Sequence, residues 1–254
     1  MRDLGLIRCP YVQRPVRIVG VIALSMLLLL LSSFSGSVGA NSSQRSSQTP
    51  FARALADFRT ASSVHCLFSG TESSGTLIIS GDVFRDGDVN GSLGIDGYST
   101  RIIVIRGTAY ELVNAALVNL IGKLCIVTNA LEPLIGKWIS VPNSSSNGSG
   151  SSFHFAVGTN VSFEALVQIF GQDSKSYSES GHSKIDGHQT IRFRSNLHAT
   201  VWMSEGTNPY PVKVSAAVKG GGITISLSDW NKARMTSAPI GSVPISSIPL
   251  SQNT

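Results

Sequence analysis

From residue 63 to residue 112 the apolar side chains fall on every second position. Val64, Cys66 and Phe68 alternate with Ser63, His65 and Leu67, and the segments 76–83, 91–95, 101–106 and 109–112 follow. Each run is short and bounded by Gly, Asp or Ser. A strand turns successive side chains to opposite faces, so this pattern predicts an antiparallel meander with one face in a core. Just before it the period is different. Phe51, Ala54, Leu55, Phe58 and Ala61 recur at helical spacing behind Thr49 and Pro50, a capping residue followed by proline at the first helical position. The spacing predicts one short amphipathic helix.

The middle of the chain leaves the strand pattern. Residues 114–121 (NAALVNLI) and 128–135 (TNALEPLI) are apolar and short, with Leu117, Leu120 and Ile121, then Leu131, Leu134 and Ile135, on one side. They read as helical or irregular lid segments, closed by Gly136-Lys137-Trp138-Ile139. Residues 143–152 (NSSSNGSGSS) read as a polar surface loop. Residues 162–170 form a second amphipathic helix, with Ser162 to cap it, Phe163, Leu166 and Phe170 on one face, and Gly171 to end it. Strands return at 188–194, 199–203, 212–217 and 223–227, separated by Asn196, Asn208-Pro209-Tyr210-Pro211 and Gly220-Gly221-Gly222. The order is helix, five strands, helical insert, four strands. It predicts an α+β domain over residues 50–246, a single curved antiparallel sheet with short helices gathered to one side; the proline-bearing tail from Ser237 onward is expected to end disordered, at 247–254, or laid along an edge.

Ahead of the domain, Arg2, Arg8, Arg14 and Arg17 precede an apolar stretch from Ile18 to Leu31 and the small residues Val38-Gly39-Ala40. These are the three parts of a secretory signal. Residues 1–40 are expected to be that signal, cut after Ala40, with 41–49 a flexible leader; an uncleaved N-terminal anchor is the alternative. Either expectation places the domain outside the cytoplasm, secreted or at the cell envelope. The signal also changes the charge argument. The whole chain is +5, but residues 1–40 hold four arginines and one acid, which leaves 16 basic against 14 acidic residues beyond them. No Lys/Arg cluster of the kind that neutralises phosphates remains, so nucleic acid is not an expected partner.

Candidate chemistry is sparse. Asp86-Gly87-Asp88-Val89-Asn90-Gly91 matches the first half of a calcium loop, but the position of the closing bidentate Glu is Gly97, and the same residues suit a hairpin turn. None of the five histidines stands at metal-ligand spacing, so no metal and no cofactor are expected. There is no GxSxG, SxxK or phosphate-binding GxxxxGK[ST] pattern. Glu72, Glu111, Glu132, Glu164, Glu179 and Glu205 are scattered across strands and loops. The reading is a non-enzymatic protein without catalytic residues. Cys66 and Cys125 are the thiols beyond the signal; they suit either a disulfide closing a long loop or two separately buried side chains.

The C-terminal half resembles the LppX/LprG group of extracytoplasmic lipoprotein carriers, built on the LolA/LolB-like fold. The matching pieces are Gly136-Lys137-Trp138-Ile139, Ile185-Asp186-Gly187-His188-Gln189-Thr190-Ile191, Val201-Trp202-Met203, Asn208-Pro209-Tyr210-Pro211-Val212 and Ile225-Ser226-Leu227-Ser228-Asp229-Trp230-Asn231. Their order and spacing carry the resemblance across residues 51–245. It implies a half-open barrel with helices over its concave face, holding acyl chains of lipids or glycolipids between the two. The helical faces then nominate Phe51, Leu55, Phe58, Leu117, Leu120, Leu134, Phe163, Leu166 and Phe170 as the groove. Such carriers are anchored through a lipidated cysteine at the mature N-terminus, where this sequence has Asn41; membrane contact is expected to be transient or through an uncleaved anchor. The rival reading is an interaction or sensing module on the same fold, contacting an envelope protein through exposed aromatics such as Tyr210 or Trp230.

Overall fold

The computed structural model describes residues 49–72, 75–123, 130–142, 163, 166, 177–195, 199–218 and 220–248. The expected signal and leader, the 143–152 loop, Cys125 and Phe170 lie outside these residues. Helix α1 (Pro50–Thr60) begins where Thr49 Oγ1 accepts the amide N–H of Ala52 at 3.2 Å, with Pro50 in the first turn. This cap satisfies an N–H that has no partner within the helix. Phe51, Ala54, Leu55, Phe58 and Ala61 are all buried, so the apolar stripe of α1 is its packed face.

Five strands follow as hairpins: β1 (Ser63–Glu72), β2 (Gly75–Phe84), β3 (Val89–Ile95), β4 (Tyr98–Ile105) and β5 (Thr108–Leu112). Helix α2 (Ala115–Lys123) and a 3-10 turn (Glu132–Leu134) lead to β6 (Trp138–Pro142). The second set is β7 (Ser178–Ile185), β8 (His188–Arg194), β9 (Ala199–Ser204), β10 (Pro211–Val218) and β11 (Gly221–Ser228). A two-residue β12 (Val243–Pro244) and a 3-10 turn (Ile245–Ser247) complete the described chain. Two-residue turns at Asp96-Gly97, Arg106-Gly107 and Asp186-Gly187 have positive φ at both positions, the geometry whose twist matches that of paired strands.

The strands form one 12-stranded sheet in the order β12-β6-β5-β4-β3-β2-β1-β11-β10-β9-β8-β7. The first strand of one meander pairs with the last strand of the other, β1 against β11, which fuses the two sets into one surface. The sheet is open, with β7 and β12 at its edges. It is mixed rather than wholly antiparallel, because Val243 and Pro244 run parallel to Ile139 and Ser140. β6 and β7 were also not expected as strands. β7 (SESGHSKI) buries none of its residues and so has no apolar period to read. Ile248 is buried against the β6 end of the sheet. Among the described residues no helix is long and apolar enough to cross a membrane.

The calcium-like segment is the β2–β3 turn. Asp86 Oδ1 accepts the Asp88 N–H at 3.2 Å, and Asp88 Oδ1 accepts the Arg106 N–H at 2.9 Å, tying this turn to the β4–β5 turn beside it. Arg85 in the same turn reaches back to α1. Its guanidinium donates to the carbonyls of Ala61 and Arg59 at the helix end and lies 5.1 Å from the centre of the Phe163 ring. Cations stabilise a helix C-terminus through its unpaired carbonyls. Arg85→Met is expected to cost about 1 kcal/mol, seen as a lower urea midpoint with an unchanged slope.

Candidate functional site

Residues directly opposite one another in an antiparallel ladder share a face, so the register fixes what lines the inside of the sheet. One row crosses from β8 to β3: Phe193, Val201, Val214, Ile225, Phe68, Ile79 and Leu93. All seven are buried. A second inner row contains Val64, Val83, Val89 and Val104, buried as well. Over this face sits α1. Phe51 stacks on Tyr177 at 4.7 Å and meets Phe193 edge-on at 5.3 Å. Further along the helix, Phe58 meets Phe163 and Trp230 edge-on, each at 5.1 Å. Offset and edge-to-face rings of this kind gain energy beyond the area they bury.

The expected groove residues divide between two apolar clusters. Phe51, Leu55 and Phe58 join Phe163 and Leu166 in the large cluster over β1–β4 and β8–β11. Leu117 belongs to a smaller cluster with Val113, Val118, Leu131, Ile139 and Ile248, against which Leu134 packs partly buried. Leu120 lies in α2, but its side chain is outside the described set, as is the whole of Phe170. Tyr210 and Trp230 are not free surface aromatics: they stack on each other at 4.7 Å, and Trp230 continues onto Phe58. Both rings are half-buried, packed against the large cluster.

A third inner row was not anticipated: Ile139, Glu111, Ile102, Gly91, Gly81, Cys66 and Leu227. Cys66 is a free, buried thiol, and burial pushes its pKa up to about 12. Glu111 is only 4% exposed. Its ladder neighbours are Ile102 of the large cluster and Ile139 of the small one, so it stands on their common face at the boundary between them. Neither carboxyl oxygen has a hydrogen-bond partner among the described residues. Desolvation penalises the charged form and pushes the pKa from the ordinary 4.5 up to about 8. In sequence the one sign of this residue is its phase. Glu111 takes the same alternation as Ala109, where the strand turns inward.

The outer face carries a polar line. His65 Nδ1 lies 2.8 Å from Asp82 Oδ1, and its Nε2 lies 3.4 Å from Ser80 Oγ. The order Ser–His–Asp is that of a hydrolase triad, yet β2 is paired on both sides through Ser80, Gly81 and Asp82. Its backbone N–H groups are committed to ladders, so the strand offers no donors for an oxyanion next to Ser80. The line is a cross-strand contact on a solvated face. His182 is exposed and its pKa is raised, first by the hydrogen bond to Glu205 at 2.8 Å. Among the described residues no group of His, Cys, Asp and Glu could hold a metal ion.

An open, curved half-barrel whose inner face is apolar and covered by short helices is thus the class of protein that the chain defines. The particular fold is that of LprF from Mycobacterium bovis, which matches with a TM-score of 0.55 and 15% identity over 75% of this chain and 95% of LprF. The lipoprotein LppX from Mycobacterium tuberculosis matches with a TM-score of 0.49 and 15% identity, over 73% of this chain and 95% of its own. No protein-family profile matches the sequence, and no curated protein does. The likeness to LprF establishes the fold, and it agrees with the resemblance drawn from the turn and aromatic motifs.

Proposed function

We propose that this chain is an exported, non-enzymatic protein that binds lipid or glycolipid acyl chains between its sheet and helices at the cell envelope. The observation that carries the reading is the unbroken apolar row from Phe193 to Leu93, which among the described residues is covered by the 11-residue helix α1 and by the helical residues Phe163 and Leu166 rather than by a second sheet. A helix packed over an apolar face can be lifted by a ligand at lower cost than a packed second sheet. An acyl chain entering there gains about 0.8 kcal/mol for each buried CH₂. The fold shared with LprF and the sequence resemblance to the lipoprotein carriers support the same reading. Phe51, Leu55, Phe58, Phe163 and Leu166 would line one part of the groove, and Leu117, Leu120 and Leu134 another.

Crowding either part tests this. Leu166→Trp and Leu117→Trp are each expected to cut the lipid recovered by organic extraction of the purified protein by more than about half while leaving a cooperative melt. Folded variants with the lipid content of the parent chain would refute the groove.

A further inference from the structure

The described part of the protein buries five polar or charged side chains: Ser63, Asp88, Thr100, Glu111 and Thr190. Four have partners. Ser63 Oγ accepts the Ala233 N–H, Asp88 accepts the Arg106 N–H, Thr100 donates to the Leu112 carbonyl, and Thr190 donates to the Ser183 carbonyl. Only Glu111 has neither oxygen bonded. Buried polar groups are almost always paired, because an unmade hydrogen bond leaves the full desolvation cost standing. Glu111 is no surface acid that strayed inward. The register holds it on the inner face, with Ile102 on one side and Ile139 on the other.

Resting on the carrier reading, we propose that Glu111 is the polar contact point for the ligand, bonding a neutral oxygen function, a hydroxyl or an ester carbonyl, set within the ligand's hydrocarbon part. A chain laid across the boundary of the two apolar clusters passes this residue. A protonated carboxyl donates one hydrogen bond and accepts others, so it can serve a carbonyl or a hydroxyl. An anionic headgroup does not fit the position, since a second acid in the same apolar surroundings raises the cost of charge for both. The site therefore selects lipids that carry oxygen along their chains or at an ester linkage over plain hydrocarbon.

The test uses the full chain and two probes: diphenylhexatriene, a pure hydrocarbon that fluoresces when taken up, and a methyl hydroxystearate with its hydroxyl at mid-chain. In Glu111→Leu the hydrocarbon probe is expected to bind as in the parent chain, while the hydroxy ester binds roughly tenfold more weakly. Glu111→Gln, which keeps a donor and an acceptor, is expected to retain most of the ester affinity. Equal affinity of the ester for the parent chain and for Glu111→Leu would overturn the contact and leave the carrier reading intact. If all three folded proteins take up neither probe, the carrier reading fails and the contact fails with it.

Discussion

Replacing Glu111 by leucine is expected to stabilise the protein by about 3 kcal/mol at pH 7 and by much less near pH 4.5. The folded chain holds this carboxyl's proton up to about pH 8, whereas an ordinary glutamate releases it near 4.5. Across that window the folded state binds the proton that the unfolded state gives up. Stability must then fall as pH rises, by about 1.4 kcal/mol per unit, and level off above the folded pKa. Leucine removes both this slope and an unpartnered buried carboxyl. Glu111→Gln removes the slope alone. Urea midpoints of the three proteins between pH 4.5 and 8.5 decide the matter: the parent curve is expected to descend while both variants stay flatter. Parallel curves for the parent and Glu111→Gln would show that the side chain is solvated and charged at neutral pH. A residue that weakens the fold and faces the proposed ligand path has the character of a functional compromise.

The second large effect concerns the crease where β2 meets β3. Gly81 and Gly91 are paired across the ladder. A methyl group on Gly91 would stand 2.3 Å from the Ser80 carbonyl oxygen, and one on Gly81 would stand 2.6 Å from the Gly91 Cα. Both obstacles are backbone, so no rotamer change relieves them. Gly91→Ala is expected to cost about 3 kcal/mol or more, since the strands must separate where the two glycines bring their backbones together. Gly94→Ala on the same strand is the control, because its methyl would meet its neighbours at 3.5 Å or more. Thermal melts that drop sharply for Gly91→Ala and barely move for Gly94→Ala match this account. Equal small shifts would show that the crease is soft.

These two sites also show what the sequence could and could not reveal. Nine strands were readable because each alternates apolar and polar residues between turn signals. The face of α1 was readable from its spacing behind Thr49 and Pro50. β7 was not, since an edge strand with no buried residue carries no hydrophobic period. β6 (WISVP) follows an apolar insert and ends in proline, so its five residues merged with the segment before them. β12 is two residues long, and its parallel pairing joins positions about a hundred residues apart, which no local pattern encodes.

The site was legible in part for the same reason. Helical periodicity finds apolar faces but not what each face meets, so Leu117 and Leu166 were grouped although they lie in different clusters. Glu111 sits in TAYEL, a five-residue strand in which its inward phase is marked by Ala109 alone. Its place beside Ile102 and Ile139 becomes visible only when the register of three strands is known. The crease is hidden for a related reason: Gly81 and Gly91 lie on separate strands, and their approach belongs to the pairing.

The central claim is that the inner face takes up lipid. Native mass spectrometry on the chain secreted by a host with a similar envelope, purified without detergent, tests it most directly. The account predicts a population heavier than the protein by a discrete mass that organic extraction releases as lipid. A clean protein mass that persists after incubation with envelope lipids would contradict it.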